Sequence, residues 1–100
     1  MSLTSLKLLT IIADEALENR LVADILRLGA HGYSVHTVQG RGAHGLRNSE
    51  WEGENRKITT LVGNELAEKI MAHVAAHYFD HYPIIAYLTP AEVWRGEKYL

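Results

Sequence analysis

An α+β sandwich of two β-α-β halves is the fold class this sequence predicts, and three observations predict it. Apolar runs of strand length alternate with helical periodicities in the order β-α-β, then β-α-β. A long polar stretch, Thr37 to Lys57, separates the two halves. The runs nearest the two ends of the chain are apolar on both of their alternating faces, so each has more to bury than one helix layer can cover.

The first element is a strand, Leu6 to Ala13 (LKLLTIIA), short and rich in apolar and β-branched residues. Asp14 follows as an N-cap, because its carboxylate can accept free N–H groups of a first helical turn. From Glu15 the spacing turns helical: Leu17, Leu21, Ile25 and Leu28 make one apolar stripe, and Gly29 ends it. A second strand is predicted over Tyr33–Val38 and a third over Lys57–Val62, joined as an antiparallel ribbon through the long loop. Asn64 is the expected cap of a second helix, whose stripe is Leu66, Ile70, Val74 and Tyr78, flanked by Ala67 and Met71. Asp80 to Pro83 is a turn, Ile84 to Leu88 a fourth strand, and Pro90 is expected to break it. This order describes a ferredoxin-like βαββαβ sandwich with both helices on one face of a four-stranded antiparallel sheet. Leu6, Leu8 and Ile12 and their opposite-parity neighbours Leu9 and Ile11 leave one apolar face of the sheet over, and a second copy of the chain supplies its cover in a symmetric oligomer.

Composition narrows the function classes. One hundred residues imply one domain over 1–100; 47% hydrophobic and 22% charged is the balance of a soluble globular protein. Net charge is −2, which argues against a nucleic-acid partner, and no basic run suggests a membrane surface. The absence of cysteine excludes disulfides, thiolate metal sites and a cysteine nucleophile. The N-terminal apolar run is too short to span a bilayer and lacks a basic leader, so a cytoplasmic location is expected.

The chemistry concentrates at the long loop. Gly40-Arg41-Gly42 at its root offers backbone amides, and Arg41 and Arg47 offer guanidinium groups that match phosphate oxygens in pairs. His44 lies between them. Val38 and Tyr87 are candidates for a base slot at a subunit edge. Asn48, Glu50, Trp51 and Glu52 form a polar, aromatic and acidic tip suited to a protein partner. The competing reading is a surface loop with solvated cations and no ligand. The triplet is not a dinucleotide fingerprint, because it opens a loop and not a helix.

Elsewhere, His73, His77 and His81 recur at four-residue intervals, and two histidines at that spacing can bind a transition metal. No carboxylate completes a zinc-protease pattern there, and the other reading is a pair of boundary residues beside the apolar stripe. The tail gathers Trp94, Arg95 and Lys98. Either the aromatic packs down and the arginine is solvated, or the segment crosses to a neighbouring cleft and Arg95 meets the same phosphates as Arg47. No nucleophile, base and acid fall at a spacing that supports catalysis. After the first strand, where small acyl phosphatases carry an arginine loop, this chain has Ala13-Asp14-Glu15, which repels phosphate.

With this element order in place, the chain resembles the PII-type signalling proteins. The residues that carry the likeness are Gly32-Tyr33-Ser34-Val35, Gly40-Arg41-Gly42 at the loop base, and Ala91-Glu92-Val93 after the fourth strand. Within that superfamily it is most similar to the SbtB-like branch, through Ala67-Glu68-Lys69-Ile70, Tyr78-Phe79-Asp80-His81-Tyr82 and Ile84-Ile85-Ala86-Tyr87. The resemblance implies a non-enzymatic homotrimer with AMP, cyclic AMP, ADP or ATP in three intersubunit clefts. It implies a T-loop-like segment at 40–56 and a C-terminal tail at 89–100. It also implies bicarbonate as a further effector, and a partner that is a membrane bicarbonate transporter or a carboxysomal protein, which would place the protein at the periphery of the inner membrane. Carried over by position, the basic phosphate-binding residues fall on Arg41 and Arg47, and Gly40 and Gly42 match the loop-base glycines. His44 stands in the nucleotide site where that branch often has a further arginine, which weakens the phosphate grip, and Arg95 resembles the arginine sent into the cleft from the tail. Trp51 stands where PII proteins of the nitrogen-signalling type carry a modified tyrosine, and Asp80-His81-Tyr82-Pro83 replaces their glycine- and lysine-rich loop. The CutA-type metal-tolerance trimers share the fold and are the alternative.

Overall fold

The computed structural model describes residues 2–39 and 54–100. Their elements are β1 (Leu3–Asp14), a 3-10 turn (Glu15–Leu17), α1 (Glu18–Leu28), β2 (Ser34–Val38), β3 (Asn55–Val62), α2 (Asn64–Tyr78), β4 (Ile85–Trp94) and a second 3-10 turn (Gly96–Tyr99). The sheet order is β2-β3-β1-β4 with every pairing antiparallel, the ferredoxin-like arrangement expected from the element order.

Register decides which residues meet. Ile11 lies opposite Ile58 on one side and Ala86 on the other, and Leu9 opposite Thr60 and Leu88. These positions share the face that the helices cover. There Leu9, Ile11, Ala13, Ile58 and Val62 pack against Leu17, Leu21 and Ile25 from the first helical layer and Ala67, Ile70, Val74 and Tyr78 from α2. The α2 stripe thus runs through Ala67, whereas Leu66 is only half-buried and lies close to Gly29.

β1 begins at Leu3 and not Leu6, and β3 at Asn55 and not Lys57; three further differences from expectation have a physical reason. Helix α1 is preceded by a 3-10 turn, and it is this turn that Asp14 caps, accepting from the Ala16 N–H at 2.8 Å. Gly63, in an extended conformation, is the N-cap of α2, and Asn64 is already its first helical residue without a side-chain cap bond. Pro90 does not break β4. It sits inside the strand opposite Lys7, and β4 is an edge strand, where a missing N–H costs no ladder bond. The chain turns after Trp94 through Arg95 in the left-handed region (φ 58°, ψ 34°). Gly96 then fits so closely against Thr4 that an added Cβ would collide with the threonine side chain.

The face away from the helices keeps the apolar surplus expected of it. Leu8, Ile12 and Leu61 are half-buried, and Ile85 and Tyr87 stay 51% and 39% exposed. Leu6 is buried outside the main core, where the C-terminal turn lies against β1.

Candidate functional site

The loop root is built by three strand ends. Asp14 pairs with Asn55, and Asn55 with Val38, so β1, β3 and β2 terminate side by side where the long connector leaves and returns. The return is pinned: the Glu15 N–H donates to the Glu54 carbonyl at 2.8 Å. Arg56 adds a second clamp. Its guanidinium donates to Glu15 and Glu18 at 3.0 Å each and to Glu54 at 3.2 Å. Partial burial works against the charge, but these carboxylates outweigh it and raise the Arg56 pKa further. The sequence pattern signals nothing special at Arg56. Glu54 is its near neighbour, but Glu15 and Glu18 precede it by 41 and 38 residues, so only the folded chain brings them together.

The sequence-predicted residues divide into three groups. Gly40, Arg41, Gly42, His44, Arg47, Asn48, Glu50, Trp51 and Glu52 lie outside the described residues. Val38 and Tyr87 both point to the open face of the sheet, but from β2 and β4, the two edge strands. Three strand spacings separate those edges, roughly 14 Å, so one chain does not join them into a base slot. Arg95 is farther still. Its neighbour Trp94 pairs with Leu3, while the loop root is at Asp14. Eleven strand steps set these ends roughly 37 Å apart. Trp94 is 57% exposed and does not pack down on its own sheet.

The histidines sit in the helix layer. His73 directs Nε2 to Asp24 Oδ2 at 3.0 Å, and the Tyr78 hydroxyl donates to the same oxygen at 2.5 Å. Arg27 donates to Asp24 Oδ1 at 3.2 Å, and Arg20 lies over the Tyr78 ring at 4.7 Å. Burial raises the Asp24 pKa, but the bonds from Tyr78, His73 and Arg27 outweigh it and hold the carboxyl below its ordinary value. A carboxylate can only accept, so the proton between His73 and Asp24 rests on Nε2. Burial, reinforced by the Asp24 charge, pushes the Tyr78 phenol up to about 12. The ring of His77 lies beside that of His73 with centroids 4.4 Å apart and planes inclined by 40°. Among the described residues, no group of three or more His, Cys, Asp or Glu could hold a metal ion. No helix among them is long and apolar enough to cross a membrane.

Comparison with known proteins fits this geometry. The profile of the family described as nitrogen regulatory protein P-II matches residues 6–98. A PII-like protein from Thermus thermophilus is 43% identical over the whole of both chains, with a TM-score of 0.87. CPII from Thiomonas intermedia, in a structure bound to ADP and bicarbonate, is 23% identical over 98% of this chain and 97% of its own, with a TM-score of 0.85. Another structure of CPII, bound to ADP, AMP and acetate, is 21% identical over 99% of this chain and 98% of its own, at a TM-score of 0.84. At these identities CPII shows likeness of fold.

Proposed function

The chain belongs to the nitrogen regulatory protein P-II family, and from that premise we propose that it is a non-enzymatic signalling protein that binds an adenine nucleotide in the clefts of a homotrimer. The observation that carries this reading is the separation of the loop root from the C-terminal segment on one sheet. A nucleotide has phosphates at one end and a base at the other. A chain that holds its candidate contacts tens of ångströms apart can close them around such a ligand only by lending one set to a neighbour. The exposed Ile85 and Tyr87 on the open sheet face supply an apolar surface for that assembly.

In this reading the single domain over 1–100 gives Gly40, Arg41, Gly42, His44 and Arg47 of one copy to the phosphates, with Val38 of one copy and Tyr87 of another at the base. Arg95 comes from the adjacent copy. AMP, cyclic AMP, ADP and ATP are the candidate effectors. CPII, with the same fold, is a protein bound to ADP, AMP and bicarbonate, which supports a nucleotide and bicarbonate as effectors here. A ligand that binds one loop state more tightly shifts the population toward it. The tip residues Asn48, Glu50, Trp51 and Glu52 then engage or release a partner. The SbtB-like resemblance makes that partner a membrane bicarbonate transporter or a carboxysomal protein, met from the cytoplasmic side.

Calorimetry with the four nucleotides tests the reading. At least one is expected to bind, with Arg47→Ala and Arg95→Ala each weakening it about tenfold or more, the scale of a lost charge-assisted bond. No heat from any nucleotide, or unchanged affinity in both variants, rejects it.

A further inference from the structure

The paired histidines of α2 have no part in the nucleotide reading, and the fold gives them what their sequence spacing lacks. At four residues apart His73 and His77 share one edge of the helix, and their rings lie 4.4 Å apart. The missing feature is a group to orient the first ring. Asp24, reaching across from α1, fills that role: its carboxylate takes the His73 Nε2 proton at 3.0 Å. With Nε2 the donor, the lone pair of the neutral His73 ring is on Nδ1. A ring nitrogen that donates to a carboxylate while the other keeps its lone pair is the arrangement that metal-binding imidazoles use. Asp24 is itself held by Tyr78 and Arg27, so the orienting group is fixed from two further sides. His77 is exposed, which leaves the approach open from solvent.

We propose that His73 and His77 form a two-imidazole site for a borderline divalent transition metal, Cu(II), Ni(II) or Zn(II), on the α1-facing edge of α2, with Asp24 as the carboxylate that orients His73. Water completes the coordination sphere, since no third protein donor is assembled among the described residues. Two neutral nitrogen ligands favour copper over nickel and zinc and give no purchase to magnesium, which takes oxygen donors. Asp24 does not touch the metal. It is a positioning residue.

The test is calorimetry of the full chain with CuCl2, NiCl2, ZnCl2 and MgCl2, joined to electron paramagnetic resonance of the copper-loaded protein. Copper is expected to bind tightest and magnesium to give no heat, with nitrogen hyperfine structure from two imidazoles. His77→Ala, at an exposed position, should abolish that two-nitrogen signature. His73→Gln keeps an amide donor for Asp24 while deleting the ligand, and should do the same. Asp24→Asn should weaken binding about 10- to 100-fold, with both nitrogens still in the spectrum. His81→Ala, beyond the end of α2, should leave affinity unchanged. An absence of copper binding, or affinity and spectrum unaltered in His77→Ala, overturns the assignment. Arg47→Ala should not affect the metal titration and His77→Ala should not affect the nucleotide titration, so the two readings fail separately.

Discussion

Substituting Tyr78 by Phe isolates one of the two bonds to Asp24 that tie the helices together. Tyr78 is fully buried, and its hydroxyl donates to Asp24 on α1 at 2.5 Å. The phenyl ring keeps the packing, so the loss is the bond to a charged acceptor, about 1.5–3 kcal/mol. Titration gives an independent measure. The phenol is pushed up to about 12 from an ordinary value near 10, which corresponds to roughly 2–3 kcal/mol. Because the folded-state value is raised, this stability is fully present below pH 10 and is lost as pH rises from 10 to 12, where the unfolded chain gives up the proton first. Urea unfolding at neutral pH, at matched protein concentration because assembly adds to apparent stability, should therefore place Tyr78→Phe about 2 kcal/mol below the wild type. Above pH 10 the two curves should converge as the wild type loses its advantage. Equal stability at neutral pH, or curves that stay parallel through pH 12, would refute the coupling of Tyr78 to Asp24.

Four further outcomes follow from the geometry. Asp24 has a lowered folded-state pKa, so its contribution is present above its unfolded value near 4 and fades as pH falls through the lower folded one; acid unfolding of Asp24→Asn should lack that part of the pH dependence. Gly96→Ala drives a methyl into Thr4 and should cost about 1–3 kcal/mol in urea unfolding. Arg95→Gly relieves a left-handed residue, so stability should stay within about 1 kcal/mol of the wild type while calorimetry shows weaker nucleotide binding. Ile85→Asp changes an exposed residue of the open face and should convert the proposed trimer to monomers by light scattering, with an intact trimer ruling that face out as the interface.

Alternation and helical spacing are enough to order the elements, because burial on one face is a local property that the sequence repeats every second or every third and fourth residue. That one apolar face is left over is legible for the same reason, since the first strand is apolar at both parities; that it is the face of Leu8 and Ile12 is decided only by where the helices pack. Pro90 misleads because whether a proline ends a strand depends on the strand's place in the sheet, and edge position is a property of topology. Asn64 and Gly63 are interchangeable as caps in the sequence because either can start a helix and only the backbone angles decide. The Asp24–His73–Tyr78 cluster is invisible there, since its members lie 49 and 54 residues apart from Asp24. So is the role of Arg56, whose partners Glu15 and Glu18 precede it by 41 and 38 residues.

That last network bears directly on where phosphate charge can be met. Around the described part of the loop root stand four carboxylates, Asp14, Glu15, Glu18 and Glu54, against two cations, Arg56 and Lys57. Arg56 is engaged by three of those carboxylates at once, so its donors are committed to holding the loop exit against α1. Lys57 lies on the open face, between His36 and Ile12 in register. The root is therefore acidic as it stands, and a nucleotide placed there would be repelled unless further cations are brought in. Arg41 and Arg47 can come from the loop. Arg95 and Lys98 can come only from the far end of a sheet, roughly 37 Å away in the same chain. The acidic root and the distance of Arg95 from it both favour the proposed arrangement, in which a second copy's C-terminal segment would complete the site.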